Sequence, residues 1–193
     1  MKIILATSNE HKVREINAIV KDYGIEFILP AGDFDPIEDG LTFEANSLIK
    51  AKAAWEISKT WTLADDSGLC IDALEGAPGI HSARYAETPQ KRIDRVLTEM
   101  LGVQNRKAQF KCCMTLINPN GEIEYKYTGI CEGSITETPK GIGGFGYDPI
   151  FLIKNSTKTM AELSENEKNQ ISHRSLALNA VLKYLKNKIE LNN

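Results

Sequence analysis

A chain of 193 residues, 42% hydrophobic and 25% charged, has the composition of a folded globular protein and is expected to form a single domain over residues 1–193, long enough to bury a core. Its formal charge of −3 argues against a surface built throughout to grip nucleic acid, yet leaves room for a small anion held by a few lysines. No stretch approaches the ~20 apolar residues of a membrane span. The apolar run Ile3–Ala6 is too short for a signal peptide, so a cytoplasmic location without membrane partners is expected.

The opening residues 2–6 read as a short apolar strand. Ser8 or Asn9 is suited to cap a helix over about 10–22, with Val13, Ile16, Ile19 and Val20 on one face. Residues 25–29 read as a second strand, so the chain begins β-α-β. A loop over 30–40 follows, and a second helix is expected from near Thr42. Thr62–Asp65 and Leu69–Ala73 read as two short strands broken by an Asp66-Ser67-Gly68 turn. Thr88-Pro89 marks a helix start, with the stop at Gly102.

Residues 108–117 and 122–131 flank Asn118-Pro119-Asn120-Gly121, which predicts a hairpin. Ser164-x-x-Glu167 resembles a capping box. The last helix is expected over about 173–190, with Leu178, Val181, Leu182, Leu185 and Ile189 at helical spacing. An opening β-α-β combined with a long hairpin predicts an α/β fold with a mixed central sheet flanked by helices.

Four stretches carry candidate chemistry. Thr7-Ser8-Asn9-Glu10-His11-Lys12 takes a strand into a helix start, where free N–H groups favour phosphate. The same residues also read as a plain helix cap with a solvated lysine. Leu63-Ala64-Asp65-Asp66-Ser67-Gly68 puts two acids at a strand end, and hard oxygen ligands of this kind suit Mg²⁺. An Asx turn explains them too. Glu38-Asp39-Gly40 offers a further carboxylate or a simple acidic loop.

Gly141-Ile142-Gly143-Gly144-Phe145-Gly146 formally matches G-x-G-x-x-G, but no helix follows, and Tyr147-Asp148-Pro149 leads elsewhere. A base has room to stack on Phe145 there, or the ring packs inward. Ser172-His173-Arg174 sets cations at a helix start, where the dipole disfavours them. The cysteines (Cys70, Cys112, Cys113, Cys131) and histidines (His11, His81, His173) lack the spacing of a zinc site.

Taken in order, Thr7-x-Asn9-x-x-Lys12, Ala64-Asp65-Asp66-Ser67-Gly68-Leu69, Gly76-Ala77-Pro78-Gly79, Ser82-Ala83-Arg84-Tyr85, the run from Gly143 to Phe151 and Ser172-His173-Arg174 resemble the inosine/xanthosine triphosphate pyrophosphatase family. The resemblance implies a two-lobed α/β fold with the site in the cleft, a homodimer, and hydrolysis of ITP, dITP and XTP to monophosphate and pyrophosphate. It implies that Ser8, Asn9, Lys12, Lys50 and Lys168 contact phosphates. Glu38 and Asp66 are implied to hold Mg²⁺, Asp66 serving also as general base. Phe145, Tyr147, Asp148, His173 and Arg174 are implied to surround the base, and Thr7, Glu10, His11, Ser67 and Gly146 complete the substrate-binding set. One departure is visible: the family commonly has Glu-Asn where this chain has Ala45-Asn46. A nucleotide sensor or RNA-binding module of similar fold, and a pyrophosphatase for modified pyrimidine nucleotides, are the rival readings.

Overall fold

The computed structural model describes residues 1–8, 13, 16, 17, 20 and 23–191, with the backbone alone over 189–191. Among the described residues six strands form one sheet: β1 (Lys2–Leu5), β2 (Glu26–Ile28), β3 (Thr62–Ile71), β4 (Lys107–Ile117), β5 (Ile123–Ile135) and β6 (Phe151–Ile153), in the order β2-β1-β3-β4-β5-β6. β1 pairs parallel with β2 and with β3, whereas β5 and β6 are antiparallel, so the sheet is mixed. The helices are α1 (Phe43–Ser58), α2 (Pro89–Glu99), α3 (Glu165–Ile171) and α4 (His173–Leu191). Of the expected first helix, Val13, Ile16 and Asn17 are helical and Ile16 and Val20 are buried; Ile19 lies outside the described residues.

The chain forms two compact units. One comprises Met1–Asp66, Cys113–Thr128 and Ala177–Asn193; the other comprises Ser67–Cys112 and Gly129–Leu176. β3, β4 and β5 each run from one unit into the other.

In the first unit, α1 starts where its cap dictates, because the Thr42 hydroxyl accepts from the Ala45 N–H at 3.1 Å. Its buried residues Phe43, Asn46, Ser47, Ala51 and Ala54 recur at helical spacing. The alanines join Ile4, Ala6, Phe34, Ala64 and Ile117 in one apolar cluster, small side chains that let a helix lie close to a sheet. Ser47 is buried and shares a 2.7 Å hydrogen bond with Thr115 of β4. The hairpin turn is set by Asn118, whose side-chain oxygen accepts from the N–H groups of Asn120 and Glu122.

The second unit has its own core, in which Ile93, Val96 and Met100, at i, i+3 and i+7 from α2, meet Leu69, Ile71, Phe110, Ile135 and Phe151. The adjacent Cys112 and Cys113 of β4 are both buried, so both faces of that strand are covered.

Two expectations need correction. Thr62–Ile71 is one continuous strand, with no turn at Asp66-Ser67-Gly68 and no left-handed φ at Gly68. The strand is buried on both sides of Asp66 and Ser67, and this burial overrides the local turn preference of the three residues. The strand β6 and the 3₁₀ turns Gly79–Arg84 and Met160–Glu162 lie where no element was expected. By contrast the capping box at Ser164 and Glu167 forms in both directions.

Gly133 of β5 stands opposite Ile153 of β6. A Cβ there would come within 2.3 Å of the Leu152 carbonyl oxygen and 2.7 Å of the Phe151 ring. Gly133→Ala is expected to destabilise the protein by about 1–3 kcal/mol through overpacking. Thermal or urea unfolding measures it, and an unchanged midpoint would show that the two strands separate at no cost.

Candidate active site

Among the described residues, Glu38, Lys50 and Asp66 gather in the first unit, and Phe145, Asp148 and Lys168 in the second, where Arg174 meets Ser67. In the first, α1 carries Asn46 and Lys50 one turn apart, on the same face. Lys50 Nζ lies 3.1 Å from a Glu38 carboxylate oxygen and 3.8 Å from Asp66 Oδ1. Asn46, only 1% exposed, accepts from the Gly40 N–H at 2.8 Å and donates through its amide to Asp66. One buried amide therefore ties the Glu38-Asp39-Gly40 loop to the middle of β3. That bonding also assigns the amide's orientation, since Oδ1 faces the N–H and Nδ2 the carboxylate.

Burial pushes the Asp66 carboxyl above its ordinary value. Lys50 and the Asn46 amide pull it back, and the neighbouring Glu38 and Asp65 add to the rise. A carboxylate raised in this way takes up a proton more readily, which is the property a general base needs. Glu38 and Asp66 together form an all-oxygen donor pair, chemistry that suits Mg²⁺ completed by phosphate oxygens and water. Among the described residues no group of three or more His, Cys, Asp or Glu is gathered as a metal cage. The donor set fits a cation that shares its sphere with substrate.

Glu44, the acid one residue before the position where Glu-Asn was expected, faces elsewhere. Its carboxylate accepts from the Thr128 hydroxyl of β5 at 3.4 Å.

In the second unit, Phe145 is 60% exposed, so the ring does not pack inward. Lys168 Nζ lies 4.3 Å from its centroid and the Arg174 guanidinium carbon 5.8 Å. The Asp148 carboxylate, almost fully buried, accepts from the Phe145 N–H at 2.8 Å and pairs with Lys168. A Cβ on Gly144 would fall 2.1 Å from the same Asp148 oxygen, and Gly144 has φ +73°. Only glycine permits the carboxylate to close this loop.

Arg174 donates to the Ser67 hydroxyl at 3.3 Å, and His173 is buried with its ring stacked on Phe110 at 4.9 Å. Tyr147 is buried beneath the loop, its phenol donating to the Ser82 carbonyl at 2.9 Å. Gly146 has φ +61° and turns the chain from Phe145 to Tyr147.

Asn9, Glu10, His11 and Lys12 lie outside the described residues. Thr7 is partly buried and Ser8 exposed at the end of β1. Lys168, implied as a phosphate contact, sits with Asp148 and Phe145 in the group implied for the base.

The Ham1 family description matches residues 3–184. A dITP/XTP pyrophosphatase of Treponema denticola is 47% identical, covering 96% of this chain and 99% of its own length. The Ham1 protein of Staphylococcus aureus superposes with a TM-score of 0.90 at 37% identity, over 97% of this chain and 100% of that one. A HAM1 protein from Coxiella burnetii gives 0.90 at 39% identity, over 97% and 99%.

The chain belongs to the Ham1 family.

In this Ham1 family chain, Asn46 and Ser82 are bonded to the residues singled out by the sequence without having been assigned a role there. Asn46 stands out in the sequence only for its place after Ala45, although a polar residue on a buried helix face of small apolar residues is a signal in itself. Ser82 was quoted within its motif and given no role. No local pattern announced its contacts, because they reach 13 and 65 residues along the chain.

The raised Asp66 group has a stability consequence. Its folded-state pKa lies above the unfolded value, so the native state holds the proton more tightly. Stability from this group is then present below the ordinary carboxylate range and is lost as pH rises through the raised value. Asp66→Asn removes the charge, so its melting temperature at pH 7 is expected to exceed that of the parent chain. The two melting temperatures should converge in acid. Equal melting temperatures at pH 7 and pH 4 would mean that the buried charge is fully compensated.

Proposed function

We propose that this chain hydrolyses deaminated purine nucleoside triphosphates, ITP, dITP and XTP, to the monophosphate and pyrophosphate, as a Mg²⁺-dependent, cytoplasmic homodimer. The substrate class follows the names of its relatives, dITP/XTP pyrophosphatase. The observation that carries the chemistry is the buried Asp66 carboxylate sharing Lys50 with Glu38.

Asp66 takes a proton from the water that attacks the α-phosphorus. Its raised basicity suits this task, since a base works best with a pKa nearer the operating pH. Lys50 supplies positive charge to the phosphates, while Asn46 keeps the Asp66 carboxylate in one orientation. Glu38 and Asp66 would hold Mg²⁺, which, when bound, neutralises charge on the leaving pyrophosphate. Ser8, Asn9 and Lys12, with Thr7, Glu10 and His11 beside them, complete the phosphate end.

The base end falls to the second unit. Phe145 offers an exposed ring for stacking, and Lys168, held by Asp148, belongs with it. Arg174 and His173 recognise the purine edge. A guanidinium only donates, and a 6-keto purine offers an acceptor where adenine offers an amino donor. An RNA-binding module would have use for the exposed ring and the cations, but none for a buried Asp66 and Glu38 on one lysine.

Pyrophosphate release from ITP with and without Mg²⁺ tests the enzyme reading directly. Asp66→Asn should lower kcat about 10²–10⁴-fold at saturating Mg²⁺, the loss of general-base help, with weaker metal binding adding to it at lower Mg²⁺. The wild-type rate should fall in acid as Asp66 protonates. A variant keeping a tenth of parental activity would remove Asp66 from the mechanism.

Arg174→Ala tests the edge reading. Each buried donor left unpaired costs about 1–3 kcal/mol, so the loss should narrow the ITP-to-ATP gap in kcat/KM by about 5-fold to 150-fold. Equal depression of both substrates would make Arg174 a phosphate or structural contact.

A further inference from the structure

The 3₁₀ turn Gly79–Arg84 has no part in the mechanism above, yet it is bonded on two sides to segments that carry residues with one. Its Ser82 is buried. The hydroxyl donates to the Gly79 carbonyl at 2.6 Å and accepts from the Leu69 N–H at 2.9 Å. The Ser82 carbonyl receives the Tyr147 phenol at 2.9 Å. Leu69 lies two residues beyond Ser67, the acceptor of Arg174, and Tyr147 lies two beyond Phe145.

The rest of the turn follows the same edge of β3. The Ile71 N–H donates to the Ala77 carbonyl at 3.2 Å, and Cys70 bridges Pro78. Residues 77–82 therefore form a rail along the strand, and Ser82 is where the glycine-rich loop is fastened to it. Such a loop draws little rigidity from its own backbone. Its position rests on a few anchors, with Asp148 closing it internally and Tyr147 fixing it externally.

We propose that Ser82 is a positioning residue for base selection. It fixes the Phe145 loop against the Ser67–Arg174 pair and so sets discrimination among nucleobases without touching substrate. This rests on the reading of Phe145 and Arg174 as the base end.

Ser82→Ala deletes the hydroxyl but keeps the carbonyl that receives Tyr147. The ITP-to-ATP ratio of kcat/KM should fall about 10-fold to 100-fold, the scale of a misplacement near 1 Å. The loss should appear in KM for ITP, with kcat held within about threefold. IMP affinity by calorimetry should fall in step, while inorganic pyrophosphate affinity holds. Ser82→Thr, which retains the hydroxyl, should restore the preference.

Tyr147→Phe breaks the other bond of the same link, so the double variant with Ser82→Ala should be no worse than the poorer single one. Parental ratio and IMP affinity in Ser82→Ala would overturn the proposal, as would equal loss for ITP and ATP. If Ser82→Ala does not fold, an unchanged ratio in Tyr147→Phe overturns it instead. A wild-type chain without preference for ITP sinks the functional reading and this proposal together. That outcome is separable, because it appears before any substitution is made.

Discussion

The arrangement depends first on a single ammonium group placed between two acids. Glu38 and Asp66 carry like charge, and Asp66 is largely withdrawn from water, so burial and the neighbouring Glu38 both raise the cost of ionising Asp66. Lys50 makes the pair tolerable, reaching both carboxylates from one helix position. Its stem is anchored on a helix whose start is capped and whose small residues lie in the core, so the charge arrives with little freedom to leave. Removing that ammonium would take away the largest influence that lowers the Asp66 carboxyl, and burial would push it higher still. The loop bearing Glu38 is in turn held through the Gly40–Asn46 bond, so loop, helix and strand share one electrostatic compromise.

The second group works by different physics. Phe145 is exposed, and two cations approach its face, so its value lies in the ring's quadrupole and area. Nothing in that group resembles the acid pair, because its only carboxylate, Asp148, is already spent on the Phe145 N–H and Lys168. A carboxylate so occupied shapes a loop and places a lysine.

Much of this was legible in the sequence wherever a local rule decides the outcome. The caps at Thr42, Thr88 and Ser164, the Asn118 turn and the apolar stripe of the last helix follow from neighbours within a few residues. The group memberships of Glu38, Lys50 and Asp66, and of Phe145, Asp148 and Arg174, came from the order of the motifs. What escaped depends on distant partners. The strand Phe151–Ile153 exists because Gly133, far upstream, offers it an edge with no side chain in the way. Lys168 pairs with Asp148, 20 residues away, a contact that no local pattern announces.

The misread turn at Asp66-Ser67-Gly68 bears most directly on the chemistry. Asp, Ser and Gly favour turns because their side chains compete for local backbone bonds and glycine tolerates unusual φ. Those preferences amount to a kilocalorie or so, while the flanking apolar residues of the strand are fully buried on both sides. Burial wins, and the consequence is mechanical. In an extended strand Asp66 and Ser67 point to opposite faces, so one peptide bond separates a carboxylate met by Lys50 from a hydroxyl met by Arg174. A turn would have left both on a loop, where each would need its own supports. A strand sets the direction of each side chain through its own backbone. The neighbouring core suppresses the backbone preference of these three residues and leaves their side chains to make contacts of their own.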